Sequence, residues 1–255
     1  MPVEIVTIPC LSDNYAYLVH DPATKETLLV DAPEAGPIEA ALEARGWRLT
    51  TILITHHHAD HIGAVEALRR KHGAIMAGAR ADRGRLPELD AALAPGDVHG
   101  AGDLAVTALD APGHTIGHLA YHLPAASALF SGDSLMVMGC GRLFEGTPAQ
   151  MWETLERLSA LPDETLLHSG HEYALSNIRF ALSVDPQNAE LRRRAVETEA
   201  LRAAGRPSVP ARLDHERATN PFLRAGDPAL KAGLGLSDAP DVAVFTELRR
   251  RKDAF

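Results

Sequence analysis

A chain of 255 residues that is 45% hydrophobic and 23% charged has the balance of a folded globular protein, which excludes disordered, collagen-like and disulfide-scaffold classes. Its 25 basic and 34 acidic residues leave a formal charge of −9, which opposes broad electrostatic binding to nucleic acid or an anionic membrane. The 13 histidines outnumber Phe, Trp and Tyr together, an imbalance that asks for a chemical reason.

The opening segment, MPVEIVTIPCLSDNYAYLV, has no basic stretch ahead of an apolar core, and no run approaches about 18 uninterrupted apolar residues. Cys10 and Cys140 are too few for a disulfide framework and form no CxxC pair. The expectation is a cytoplasmic monomer acting on a small molecule, with no nucleic-acid or membrane partner. Apolar runs of strand length, Tyr15 to Val19, Thr27 to Val30, Thr51 to Ile54, Leu104 to Leu109, Ala128 to Phe130 and Thr165 to Leu167, alternate with helical spacing through the first two thirds of the chain. That order predicts sheets covered by helices, an α/β fold. Past Gly63, Val65 and Leu68 continue as a helix. Thr147, Pro148 and Gln150 announce another, as cap, first-position proline and capping-box partner, with Met151, Leu155 and Leu158 on one face. Beyond Tyr173 the strand signals stop. A helix is predicted from about Pro186 to Ala204, with Asp185 as cap and Gly205 as exit, followed by a linker at Pro207 and Pro210. Arg192 to Arg194 read as its solvated face. A last helix over Val242 to Lys252 places Arg249 and Lys252, three apart, on one face.

The histidines fall after the strand runs. In Thr51-Ile-Leu-Ile-Thr-His-His-His-Ala-Asp-His61, extended backbone projects residues two apart to the same side, so His56 and His58 converge while His57 points away. A helix would separate positions i and i+2 by about 200°, unlike the i, i+4 spacing of zinc helices. His114 follows Val106-Thr-Ala-Leu, Asp133 follows Ala128-Leu-Phe-Ser-Gly, and His171 follows Thr165-Leu-Leu-His-Ser-Gly. A helical row of His114, His118 and His122 is opposed by Pro112, Gly113 and Gly117. The donors His56, His58, Asp60, His61, His114, Asp133 and His171 exceed what one tetrahedral zinc takes and suit two ions sharing a carboxylate. His56, His58 and His114 are assigned to one ion, Asp60, His61 and His171 to the other, and Asp133 to both. Imidazole and carboxylate without thiolate suit zinc, iron or manganese, and ligand type alone does not choose among them; two divalent ions are expected, Zn(2+) first, with iron or manganese open. His118 and Asp31 are candidates to support the ligands from behind.

With the run His56-His57-His58-Ala59-Asp60-His61, the chain resembles the metallo-β-lactamase superfamily. Asp13-Asn14-Tyr15, Pro112 to His118, Ser131 to Ser134, Gly139 to Arg142, Phe144 to Thr147, Gly170 to Tyr173, Thr219 to Arg224 and Lys252 to Phe255 narrow the resemblance to the glyoxalase II, or hydroxyacylglutathione hydrolase, family along nearly the whole chain. The resemblance implies an αββα sandwich over residues 1–172 and a mostly helical substrate-binding domain over residues 173–255. It also implies hydrolysis of S-lactoylglutathione to D-lactate and glutathione, in methylglyoxal detoxification. The family's glutathione contacts map onto Arg142, Phe144, Tyr173, Asn177, Arg249 and Lys252. Phe144 stands where the family often has tyrosine, and Ser169 where it often has cysteine. Independently, the two carboxylates of glutathione call for Arg or Lys.

The chemistry expected from two such ions is a bridging water whose pKa falls from about 15.7 toward 7, giving hydroxide for attack on a thioester carbonyl. Asp60 is expected to orient that hydroxide as well as to bind metal, and Asp133 to bridge. A thiol of free pKa near 8.5 leaves with little protonation, so no general acid is required. Two other enzymes of the superfamily remain open: a phosphodiesterase or RNA-processing nuclease, and a mononuclear iron persulfide dioxygenase with a shorter tail. A non-catalytic metal-binding protein is the alternative outside enzymology.

Overall fold

The computed structural model describes residues 2–255, and the chain divides into two compact units that interleave in sequence. One holds residues up to Ala111 together with Gly117–Gly132; the other holds Pro112–Ile116 and Asp133–Phe255.

The first unit is built on a six-stranded sheet in the order β1 (Glu4–Cys10), β2 (Asn14–His20), β3 (Thr27–Val30), β4 (Thr51–Leu53), β5 (Ile75–Ala79) and β6 (Ala91–Leu93). The first three strands pair antiparallel and the last three join in parallel. Parallel pairing needs crossovers. Two of the three are helical: α1 (Ala35–Arg45), between β3 and β4, and α2 (Ala59–Ile62) with α3 (Val65–His72), between β4 and β5; the third, between β5 and β6, is a loop with a short 3-10 turn at Arg80–Asp82. Left-handed glycines, Gly46 and Gly73, end α1 and α3. Ile38 and Leu42 of α1 and Val65 and Leu68 of α3 pack with Leu18, Leu29, Ile52 and Met76 in one buried cluster.

Strands β7 (Val98–His99), β8 (Val106–Asp110), β9 (Leu119–Leu123) and β10 (Ala128–Gly132) form an antiparallel array in the same unit. It meets the first sheet through side chains of alternate parity: Tyr17 lies 5.5 Å from Phe130 ring to ring, and the buried Tyr121 hydroxyl donates to the Ile54 carbonyl at 2.7 Å. All seven residues of β2 are buried, as a strand covered on both faces requires.

The second unit contains the hairpin β11 (Leu135–Met136) and β12 (Gly139–Cys140), the pair β13 (Leu166–Ser169) and β14 (Ala211–Arg212), and α4 (Pro148–Ser159), α5 (Ala174–Val184), α6 (Ala189–Ala203), α7 (Leu213–Thr219), α8 (Pro228–Leu234) and α9 (Asp241–Asp253). Its core sets Phe222 between Phe180, stacked at 5.7 Å, and Phe245, edge-on at 5.9 Å. The capping box predicted at Thr147 and Gln150 is formed.

Three expectations change. The helix expected from Pro186 begins at Ala189 and is capped by Asn188, whose side chain accepts from the Leu191 N–H. Asp185 instead closes α5 and accepts from Asn188 Nδ2, so Pro186 and Gln187 turn between two helices. Arg194 is not on a solvated face: it is buried and pairs with Glu216. A short strand, β14, also follows Tyr173, because backbone pairing with β13 supplies what two residues cannot signal in sequence.

Candidate metal centre and substrate-binding residues

In the first unit β4 ends at Leu53, the chain bends at Thr55, and His58, extended at φ −63° and ψ 143°, stands just before α2 at Ala59. This short loop sets His56 Nε2 3.1 Å from His58 Nδ1. Two nitrogens on one tetrahedral ion with bonds of about 2.0–2.1 Å stand about 3.3 Å apart, so the pair has ligand spacing. His57 turns away, toward Asp82 at 3.3 Å and Arg85.

The supports behind these rings are dense. Asp31 Oδ2 lies 2.8 Å from His61 Nδ1 and accepts from the Thr55 hydroxyl, while Oδ1 accepts from the Thr55 N–H. Thr55 Oγ1 in turn lies 3.0 Å from His56 Nδ1. Asp31 sits in the left-handed region at φ 57°, a conformation that Asp takes more readily than branched residues. The buried His118 ring stacks on His56 at 4.8 Å. Gly132, at φ 49°, is required beside it: a Cβ there would stand 2.7 Å from both His118 Nε2 and Thr55 Oγ1. Asn14, quoted above only within a motif, donates from Nδ2 to Asp60 Oδ2 at 3.0 Å and to the Asp60 carbonyl.

In the second unit Asp133 Oδ2 lies 3.5 Å from His114 Nε2 and 3.3 Å from His171 Nε2, one carboxylate facing two imidazoles. His114 Nδ1 is 2.8 Å from the Arg142 carbonyl oxygen. His114, Asp133 and His171 are all buried. His168, the histidine within β13, is a core residue whose pKa burial pushes down to about 3.

The donor chemistry fits divalent metal. On His56, His61 and His114 the Nδ1 atom faces an oxygen and leaves Nε2 to meet an ion, the usual way a ligating imidazole is fixed. Each unit carries side chains of the type that holds an ion: His56, His58, Asp60 and His61 in the first, and His114, Asp133 and His171 in the second.

The residues mapped to glutathione all lie in the second unit, in two kinds of surroundings. Phe144, 61% exposed, stands edge-on to His114 at 5.2 Å, and Tyr173, 40% exposed, stacks flat on His171 at 4.8 Å. Arg142 keeps its guanidinium exposed, 3.6 Å from Asp253. Lys252 donates to the Ser176 carbonyl and hydroxyl and lies over the Phe180 and Phe255 rings. Burial, with Arg249 and Arg179 nearby, pushes its pKa down to about 8. Asn177 and Arg249 are buried and turned inward: Asn177 donates to the Val137 carbonyl, and Arg249 to the Cys140 carbonyl and the Asp253 carboxylate.

Two facing sheets flanked by helices, with imidazoles and carboxylates after the strand ends, define the metallo-beta-lactamase fold, and the superfamily model matches residues 12–171. The model of the hydroxyacylglutathione hydrolase C-terminus matches residues 172–255. A hydroxyacylglutathione hydrolase of Cereibacter sphaeroides is 59% identical over 255 residues, spanning 100% of both chains. ETHE1 from Myxococcus xanthus is 26% identical with a TM-score of 0.66, over 100% of this chain and 99% of that one. TTHA1623 in a di-iron-bound form is 29% identical with a TM-score of 0.54, over 66% of this chain and 91% of that one. The chain belongs to the hydroxyacylglutathione hydrolase family of the metallo-beta-lactamase superfamily.

Proposed function

We propose that the protein hydrolyses S-lactoylglutathione, and 2-hydroxyacyl thioesters of glutathione generally, to D-lactate or the corresponding acid and free glutathione, with methylglyoxal detoxification as its setting. The observation that carries this reading is the full-length match at 59% identity to a hydroxyacylglutathione hydrolase, which includes the C-terminal segment where four of the six proposed glutathione contacts lie. In this reading the catalytic domain is residues 1–172 and the substrate-binding domain residues 173–255.

Seven residues would hold two divalent ions: His56, His58, Asp60, His61, His114, Asp133 and His171. Such ions supply a nucleophile at neutral pH from water and offset negative charge developing on the thioester carbonyl oxygen. Zinc suits the donor set, and the di-iron form of TTHA1623 favours iron as the second choice. Asp60, held by Asn14 Nδ2, would accept from the attacking water and orient it. Tyr173 would keep the His171 ring in place by stacking. The Lys252 ammonium and the Arg142 guanidinium would bind the glutathione carboxylates, with Phe144 and Tyr173 against its apolar atoms and Asn177 and Arg249 shaping the wall behind them. The thiol leaves as thiolate. The reading extends to a monomer and to the cytoplasm, a reducing compartment that two buried free cysteines suit.

The test is metal analysis and S-lactoylglutathione hydrolysis on one preparation, alongside oxygen uptake with a persulfide and turnover of a bis-aryl phosphate. About two ions per chain with thioester turnover support the reading. Oxygen uptake or phosphodiester cleavage in place of thioester turnover overturns it.

A further inference from the structure

The segment from Leu135 to Arg142 does three things at once for the proposed ligands of the second unit. It leaves Asp133 through β11, returns through β12 so that Gly141 lies against the Asp133 carbonyl, where no Cβ would fit, and ends at the Arg142 carbonyl that faces His114 Nδ1. Its turn is made by Val137 and Met138, with Met138 in the left-handed region at φ 53°. Glycine or asparagine is usual where a turn requires positive φ, and an unbranched apolar side chain there costs free energy unless the surroundings hold it.

The surroundings are a buried polar cluster from α6, α7 and the residue after it. Glu216, with no exposure, accepts the Met138 N–H on Oε2 at 2.8 Å. Asn220 Nδ2 donates to the Met136 carbonyl at 3.2 Å, to the Gly139 carbonyl at 2.9 Å and to Glu216 Oε2 at 3.1 Å. Asn220 Oδ1 accepts from the Phe222 N–H, which fixes the amide's orientation. Arg194 pairs with Glu216 Oε1 and donates to the Thr219 hydroxyl. Glu216 and Asn220 thus satisfy one N–H and two carbonyls of the hairpin, those of Met138, Met136 and Gly139. A hydrophobic plug of the same volume would leave those main-chain groups unsatisfied, which is unfavourable for buried polar atoms.

We propose that Glu216, neutralised by Arg194 and joined to Asn220, is a positioning residue for metal binding: it holds the Met138 turn so that Asp133 and the Arg142 carbonyl stand where two ions require them. This rests on the ligand assignment made under the proposed function. It gives a role to the segment Thr219-Asn220-Pro221-Phe222, whose Asn220 amide reaches the Met136 and Gly139 carbonyls of the hairpin.

The test compares Glu216→Gln with the parent by chelator-competition titration with Zn(2+), the absorption spectrum of the Co(2+)-loaded protein, and thermal unfolding of the metal-free chain. Glutamine keeps the volume but cannot accept from the Met138 N–H and from Arg194 together. The expected result is affinity for at least one ion lower by roughly tenfold to a hundredfold, an altered Co(2+) spectrum, and a fall in kcat with KM little changed. Equal affinity and an unchanged Co(2+) spectrum, with only the unfolding temperature lowered, overturn the proposal and leave Glu216 a structural residue. Where Glu216→Gln does not fold, Asn220→Ser carries the same comparison, since it removes the donors to Met136 and Gly139 without burying a lone charge. Metal affinity is read apart from turnover. A parent that binds two ions but cleaves no thioester would therefore sink the proposed function, while the variant's weaker binding would still support the positioning role.

Discussion

The two units bring their proposed ligands to readiness by different routes. In the first, four ligands lie within His56–His61, and three side chains of that unit serve them: Asp31 reaches His61, Thr55 links Asp31 to His56, and Asn14 holds Asp60. In the second, His114, Asp133 and His171 come from three separate loops, and the group fixing His114 is a main-chain carbonyl whose position depends on a hairpin clamped by Glu216 and Asn220. A run of adjacent ligands can be steadied by one carboxylate. Scattered ligands need the backbone itself held, and that is work for residues far away in sequence.

The largest effect should come from the carboxylate facing two imidazoles. Asp133→Ala is expected to remove bound metal and to lower thioester hydrolysis by about a thousandfold or more, the loss of several kcal/mol of charge stabilisation. Elemental analysis beside a rate assay checks it; full activity without metal would break the scheme. Next comes Asp31→Asn. Asparagine tolerates the left-handed backbone at this position, so the substitution changes chemistry rather than conformation. Its amide cannot accept from His61, the Thr55 hydroxyl and the Thr55 N–H together, and metal affinity or activity should fall roughly tenfold to a hundredfold. Arg142→Ala is the sharpening counterpart. It deletes a side chain yet leaves the carbonyl that His114 needs, so metal content should hold while KM rises. Equal metal loss in both variants would erase the difference between the units.

Lys252 carries the pH dependence. With a pKa near 8 it is an ammonium at pH 7 and loses its proton as pH rises through that value, so KM for a glutathione thioester should climb from about pH 8 upward. Burial is the main cause of the shift; Arg249 and Arg179 add to it, while Cys140 and Asp253 oppose it. The stability effect has the opposite sign. Between about pH 8 and the unperturbed 10.5 the unfolded chain holds this proton more tightly than the folded one, so this group makes the fold more stable as pH rises there. Weaker binding in that window is therefore not unfolding. Lys252→Gln should raise KM by about tenfold at pH 7, the worth of one charged hydrogen bond, and should abolish the rise; an unchanged profile would move carboxylate recognition elsewhere.

The sequence was most legible where spacing is short. The i, i+2 pair His56 and His58, the outward His57 and the capping box at Thr147 depend on neighbours in the chain, and local geometry alone places them. The supports were less legible. Asn14 reaches Asp60 across 46 residues and Glu216 reaches Met138 across 78, and no periodicity announces such pairings. Arg194 misleads for a related reason: three consecutive arginines look like a solvated face, yet a helix turns each about 100° from the last, and one of the three meets Glu216. The start of α6 was misplaced because Asp185 and Asn188 are both good caps, and the choice between them falls to tertiary contacts, Asn188 donating to the Ala218 carbonyl and Asp185 pairing with Arg224.

The smallest predicted effect separates holding a loop from holding a helix. Helix α4 carries Thr154, whose hydroxyl donates to the Pro112 carbonyl at 2.7 Å, and Met151, which packs against Gly113, so α4 backs the loop that presents His114. Thr147→Ala removes the cap at the exposed start of that helix and should cost about 1 kcal/mol, lowering the unfolding temperature by about 2–4 °C. Because Thr154 and Met151 sit one to two turns further in, kcat and metal affinity should stay at the parent's values. Thr154→Val removes the bond to Pro112 itself and should lower metal affinity as well as stability. A Thr147→Ala variant that lost metal along with stability would show the His114 loop to depend on the whole helix rather than on the two residues that touch it.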